Sequence, residues 1–422
     1  MRRFLTFVIL LFLLAGCANI SSLLATPEPA PVSTNTPITI TTSTPTVTPT
    51  ATPDGPRTLR IWVPPQFDPF AETEAGALLQ AKLNEFVARR PGLQVEVRVK
   101  AENGTNGLIN ALTTTRSAAP SVMPDLVALS RANLESATAK GLLHPLDGLT
   151  TLPDDPDWYP YAHQIAHIQN TTYGLPFAGN ALALVGYRAP LPSAWNDLPG
   201  ETLFIFPAAD SRALFTLSLY LSAGGTLQDT QGRLKLDEAI LAKVLTLYSP
   251  ETEYPFISPQ VVNYENDEQA WNAFREQRGN LVVSWTSRFL NEQTLPLAIG
   301  TLPGLESGQY TLATGWSWAL AGSNSDNQPL AVELAEFLSD SLFLAEWTQA
   351  AGYLPTRPTA LASWSEARSQ LVLTQIAESA SLLPGEDVLV TVGPIFSEAV
   401  LSVLNGEQLP IGAAQAATEQ IK

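Results

Sequence analysis

Four kinds of side chain in this sequence carry usable chemistry: one thiol, three imidazoles, a surplus of carboxylates and nine indoles. The thiol is Cys17, the only cysteine in 422 residues, so an internal disulfide and a cysteine zinc cluster are both excluded. His163 and His167 stand four apart in HQIAH, a spacing that places both on one face of a helix. A zinc protease needs a glutamate base directly after the first histidine, and position 164 is Gln. No metal site is expected. The sequence holds no G-x-S-x-G nucleophile elbow and no phosphate-cradling P-loop. Asp and Glu number 40 against 23 Lys and Arg, a formal charge of −17. That acidity excludes the basic footprint of a protein that binds nucleic acid or anionic lipid. The spacing of the carboxylates identifies no acid and base pair of a glycosidase. What remains is recognition chemistry, flat aromatic faces among neutral hydrogen-bonding groups, with neither catalytic residues nor a cofactor expected.

The surroundings of Cys17 give the thiol a different task. Arg2 and Arg3 precede an apolar run at 4–14, too short to span roughly 30 Å of hydrocarbon. This is the layout of an export signal. The segment LAGC at 14–17 resembles the bacterial lipobox. That resemblance implies removal of residues 1–16 and a lipid thioether on Cys17, which anchors the chain on the extracytoplasmic face of the cell membrane. Residues 17–56 are rich in threonine and proline and cannot form a core. They read as an extended tether, at about 3.1 Å per residue in polyproline II.

The elements that must position any site begin after the tether. TLRIWV at 58–63 is a strand pattern stopped by two prolines, and apolar residues at Leu78, Leu79, Leu83, Phe86 and Val87 recur near the helical period. QVEVRV at 94–99 alternates as a strand, a helix follows at 108–116, then a strand at 124–129 and a helix at 132–140. The same alternation returns with a strand at 203–207, helices at 211–223, 236–248 and 268–275, and a strand at 280–285. TGWSWAL at 314–320 is strand-like. Helices are expected at 330–341, 342–350, 366–381 and 394–404. Strand and helix in alternation specify an α/β protein with a mostly parallel sheet. An apolar content of 45% suffices for its core.

The order of several segments resembles the bacterial extracellular solute-binding proteins of family 1, the maltose-binding type that serves ABC sugar importers. The segments are TLRIWV, FVARRPGLQVEV, PDLVAL with KGLLHPLD, YGLPFAGNALALVGYR, SAWNDL, GNLVVSW, TGWSWAL, VELAEFLSD and GYLPTRPTAL. The match departs from the family pattern at Arg188, where an asparagine usually follows the tyrosine. The resemblance implies a two-lobe, type II periplasmic-binding-protein fold with an interlobe cleft and a hinge crossed about three times. Lobe 1 would comprise residues 57–180 plus 298–352, and lobe 2 residues 183–296 plus 356–422. Crossings are expected near 180–183, 295–299 and 353–357. It also implies a monomer that captures a carbohydrate by lobe closure and passes it to the membrane subunits of an ABC permease. A glycan hydrolase that lost its motifs and a solute-sensing lipoprotein uncoupled from transport stay open as alternatives.

A sugar needs an aromatic platform for its C–H face and hydrogen-bonding groups for its rim. In open α/β sheets such sites lie beyond the carboxyl ends of strands. The loop after the first strand offers Gln66, Phe67 and Asp68, with Asp68 equally suited to a turn before Pro69. Ser130 and Arg131 follow the third strand, and Ser130 is equally a helix cap. Phe177 and Asn180 sit at the first crossing, Asn180 with both a donor and an acceptor. Asp210 follows the 203–207 strand as ligand or cap. By the family pattern Trp285 and Trp316 are stacking platforms. Trp318 shares a side with Trp316 in an extended segment and is either a third platform or core. Arg357 is a hydroxyl ligand or a hinge salt bridge. Trp62, Trp195, Trp271, Trp347 and Trp364 are assigned to packing.

Overall fold

A computed structural model describes residues 57–421 except 196–197, 199–201, 250–255, 293, 306–308, 323 and 366. Cys17, the export signal and the tether lie outside the described residues. The eleven described strands are β1 (Arg57–Val63), β2 (Leu93–Val99), β3 (Leu126–Ser130), β4 (His167–Ile168), β5 (Thr171–Thr172), β6 (Gly174–Gly186), β7 (Phe204–Ile205), β8 (Leu281–Trp285), β9 (Ala298–Gly300), β10 (Thr311–Leu320) and β11 (Ala380–Leu382). Nine of them join one mixed sheet along the order β2-β1-β3-β10-β6-β8-β7, with β9 on β6 and β11 on β10. β1 runs parallel to β2 and β3, β7 parallel to β8 and β11 parallel to β10, while β10 is antiparallel to β3 and β6, and β6 is antiparallel to β8 and β9.

β6 organises the molecule. All thirteen of its residues are buried. Its first half, Gly174–Ala181, pairs with β10, and its second half, Leu182–Gly186, pairs with β8 on one edge and β9 on the other. Leu354 adds a two-bond bridge to Gly179 on the edge that β8 leaves free. One strand thus belongs to two sets of elements, the geometry of a chain passing between lobes. β9, within the segment expected as a crossing at 295–299, pairs with Leu184–Gly186 on the edge of β6 opposite β8, and β10 pairs with the first half of β6 from Ala313 onward. Short apolar strands such as AIG carry no period by which to assign them to one lobe.

Other elements differ in extent. The strand expected at 203–207 is only Phe204–Ile205. The helix expected from Pro394 starts eight residues earlier, as Glu386–Leu404, with Pro394 inside it. A proline inside a helix forfeits one backbone bond, and here the packing of Val388, Leu389, Val392, Ile395, Phe396, Ala399, Val400 and Val403 outweighs that loss. Four helix starts carry side-chain caps: Thr73 accepts from Gly76 N–H, Asp237 from Ile240 N–H, Asn266 from Gln269 N–H and Asp340 from Leu342 and Phe343 N–H.

Candidate functional site

The carboxyl ends of the parallel strands converge on β6. Trp316 in β10 lies opposite Ser130, the last residue of β3, and opposite Ala178 of β6. Trp285, the last residue of β8, lies opposite Leu182 of β6. The two indoles therefore flank opposite edges of one strand, four residues apart along it, about 13 Å at roughly 3.3 Å per residue. Tyr353 lies between these stations. It meets Trp316 edge-on at 5.0 Å between ring centres and lines the same cavity as Trp285. Gly352 makes this placement possible. It ends the helix Ser341–Ala351 in the left-handed region, φ 69°, and a Cβ there would stand 2.1 Å from Asn291 Nδ2.

Beneath the indoles is an aromatic mass with Phe67 at its centre. Phe67 is 5.0 Å from Phe177, 5.6 Å from Trp316, 5.5 Å from Trp347 and 5.6 Å from Tyr353, ring centre to ring centre. Trp318 stacks on Phe177 at 4.6 Å and is buried. Alternation puts Trp316 and Trp318 on one side of β10, as expected, but Trp318 is covered by Phe177 and offers no face to solvent. Phe177 is itself 1% exposed. Both belong to the support under the site. Trp62, Trp195, Trp347 and Trp364 are buried, and so is Trp271, which also lines the cavity.

The cavity, about 680 Å³, is lined by Asn266, Asp267, Trp271, Trp285, Ser287 and Tyr353 together with the charged side chains of Glu268, Arg275, Arg288 and Glu292 and the amide of Asn291. Arg288 Nε lies 3.0 Å from Asp267 Oδ2, and Arg275 Nε 3.1 Å from Glu292 Oε2. Asp267 also accepts from Ser284 Oγ at 2.5 Å. Hydrogen bonds from Thr294, and then the Arg275 guanidinium, hold the Glu292 carboxyl below its usual range. Burial, reinforced by the nearby Glu102 carboxylate, pushes the Tyr353 phenol up to about 12, so it stays a neutral donor.

Of the remaining predicted residues, Gln66 is exposed at the end of β1 and donates from Nε2 to Glu102 Oε2 at 2.6 Å. Asp68 accepts the Phe70 N–H at 2.8 Å and serves the turn. Ser130 starts the helix Arg131–Ala139 without a side-chain cap bond. Arg131 spends its guanidinium on Glu135 and on the carbonyls of Gln164, Ile165 and His167. Arg357 is buried in a lattice of Asp155 at 2.9 Å, Asp157 at 3.8 Å and Ser341 at 3.0 Å, with Trp158 against its plane. Its guanidinium is thus engaged in ion pairs and a hydroxyl contact. His163 and His167 stack at 4.2 Å, and His167 is engaged by the His163 carbonyl and Thr172 Oγ1.

Asn180 is committed to the fold. Its Oδ1 accepts from Thr286 Oγ1 at 2.9 Å and Ser287 N at 3.1 Å, and its Nδ2 donates to Ser287 Oγ at 3.0 Å. These bonds tie β6 to the helix that follows Trp285. Asn180→Ala leaves a buried hydroxyl and an N–H unpaired. It is expected to cost about 1–2 kcal/mol of stability, read as a lower melting temperature, with ligand affinity changed only a few-fold.

Asp210 is half-buried after β7 and accepts the Arg212 N–H at 3.0 Å. Burial is the largest effect on its carboxyl and raises its pKa, with Asp267 contributing in the same direction. A raised folded pKa means stability present below the ordinary carboxylate range and lost as pH rises through the folded value. Asp210→Asn, which never ionises and keeps an acceptor for Arg212, is therefore expected to melt above the parent chain at pH 7. The gap should close as pH falls toward about 4, which a melting series across pH checks.

Glu102, Tyr353, Asp267, Ser287, Asn291 and Arg288 were not singled out by sequence reasoning. Tyr353 falls inside the GYLP segment recognised as a crossing. The others sit in loops or polar helix faces whose partners are far away in sequence.

A two-lobed α/β body with one strand shared between its halves, and an aromatic line beside a polar cavity at that strand, defines a solute-binding architecture. The profile of the family described as bacterial extracellular solute-binding protein matches residues 83–370, and the chain belongs to that family. No curated protein matches it by sequence. Solved structures share the fold at low identity. Maltodextrin binding protein MalE1 from L. casei BL23 is 16% identical with a TM-score of 0.67, covering 86% of this chain and 98% of that one. The cyclic alpha-maltosyl-1,6-maltose binding protein from Arthrobacter globiformis is 15% identical with a TM-score of 0.67, covering 87% and 98%. The sugar-binding protein MalE from Xanthomonas citri is 17% identical with a TM-score of 0.66, covering 86% and 96%.

Proposed function

We propose that this solute-binding protein captures a sugar or oligosaccharide between its lobes, with Trp316, Tyr353 and Trp285 as the aromatic surface and Gln66 and Asp210 among the groups at its rim. The observation that carries the reading is the aromatic line beside the 680 Å³ cavity at the shared strand. Indole and phenol faces match the C–H face of a pyranose, and the neutral amides and hydroxyls of Asn266, Ser287 and Asn291 match its hydroxyls. The similar structures named for maltodextrin or cyclic maltosyl-maltose support the same solute class. Lobe 1 would comprise 57–180 with the later part of β10 through 352, and lobe 2 residues 183 to about 311 with 356–422.

The chain would bind as a monomer, anchored by a lipid on Cys17 and held off the extracytoplasmic surface by residues 17–56. It would dock both lobes on an ABC permease, whose separate ATPase opens the pair. Nothing in the proposed site calls for turnover of the solute. Thermal-shift titration of the full chain in detergent with maltose, maltotriose, glucose, amino acids and polyamines tests the ligand class. At a hundredfold excess over Kd, a true ligand stabilises by about 2.7 kcal/mol. A midpoint indifferent to every carbohydrate would end the sugar reading, and product formation would turn it toward a hydrolase. Metabolic labelling with a radioactive fatty acid, lost in Cys17→Ser, tests the anchor.

A further inference from the structure

The loop that leaves β2 brings a carboxylate to the lobe 1 end of the aromatic line. Lys100 N–H donates to the Val63 carbonyl, Leu108 N–H to the Ala101 carbonyl and Gly107 N–H to the Gly104 carbonyl, so the loop is closed by backbone bonds. The buried Asn133 amide donates to the Glu102 carbonyl at 3.2 Å and fixes the residue's backbone from below. The Glu102 side chain is half-buried. Its Oε1 accepts the Trp316 indole N–H at 3.2 Å and its Oε2 accepts the Gln66 amide at 2.6 Å. Among the described residues it makes no ion pair.

A carboxylate offers about four acceptor positions. Two are taken here, one on each oxygen and both by neutral donors, so each oxygen keeps one free lone pair. A half-buried carboxylate without a cation is poorly compensated unless something else donates to it. The indole that it orients is the one read above as a platform for the solute. A pyranose lying on that ring carries its hydroxyls at the ring edge, where the indole N–H and its acceptor are. Hydrogen bonds to an ionised acceptor are roughly twice as strong as neutral ones.

We propose that Glu102 is a solute-binding and positioning residue. It turns the Trp316 indole through Nε1–H, and its free lone pairs accept hydroxyl hydrogen bonds from the sugar stacked there. The same charge selects against solutes with a carboxylate at that end. This rests on the sugar-binding reading.

The test uses calorimetry of the full chain in detergent with maltotriose and, as the anionic probe, a malto-oligosaccharide ending in a uronate. Glu102→Gln keeps size and one acceptor for the indole but loses the charge. Its expected effect is about tenfold to hundredfold weaker binding of maltotriose, with the uronate penalty of the parent chain reduced. Indole fluorescence of Glu102→Gln should stay near the parent's, whereas Glu102→Ala should shift it as Trp316 loses its acceptor. Glu102→Asp should recover part of the affinity if the bound charge matters. If the parent chain binds maltotriose and Glu102→Gln binds it equally well, the proposal is overturned while the sugar reading stands. If the parent chain binds neither probe, the sugar reading falls and this proposal with it.

Discussion

Trp316→Ala is expected to weaken sugar binding by about 2 kcal/mol, on the order of 30-fold in Kd, while the chain stays folded. The indole is half-buried at the carboxyl end of β3, with one neighbour edge-on at Tyr353, another at Phe67, and its N–H held by Glu102. Removing it takes away a flat apolar face already fixed in place, so little ordering cost offsets the loss. Trp318→Ala, two residues on, is the internal contrast. That ring is stacked under Phe177, and its loss should lower stability first. Isothermal calorimetry separates the two. A Trp316→Ala chain that binds with unchanged affinity would remove this ring from the solute's surface.

The larger effect on stability should come from Phe67→Ala. Phe67 is 2% exposed and touches Phe177, Trp316, Trp347 and Tyr353. Truncating a buried phenylalanine costs about 3–5 kcal/mol through lost transfer energy and the cavity left behind. The short helix Pro65–Phe67 that carries it begins with proline and is held by few backbone bonds, so collapse around the void is the only relief. Because Trp316 and Tyr353 both rest on this ring, affinity should fall together with the denaturation midpoint. Phe67→Leu should recover most of the stability and less of the affinity, since a branched aliphatic fills volume without offering edges to the rings. A stability loss below about 1 kcal/mol in Phe67→Ala would show that the cluster repacks and that the indole does not depend on it.

The strand and helix alternation was legible because each element repeats its apolar residues at its own period. β1, β2, β3, β8 and β10 fall within about three residues of the positions that pattern predicts. β6 was not, although YGLPFAGNALALVGYR marked its place. A strand buried on both faces has no alternation, and its proline and three glycines read locally as loop. The same limit applies to β9, three residues whose place is set only by pairing with Leu184–Gly186.

The site divides along the same line. Residue type and position after a strand were enough to nominate Trp316, Trp285, Gln66 and Asp210 as candidates, because a strand's carboxyl end is a local property of the chain. They were also enough to reveal an acidic protein with one thiol set behind an apolar run at 4–14. Whether a selected side chain faces solvent or is already engaged depends on partners more than a hundred residues away. Asn180 is bound by Ser287, Arg357 by Asp155, Phe177 by Trp318, and Glu102 reaches Trp316 across 214 positions. Hydrogen-bonding capacity is finite and packing is close. Only the assembled fold decides which groups are used up in holding it and which remain for a solute.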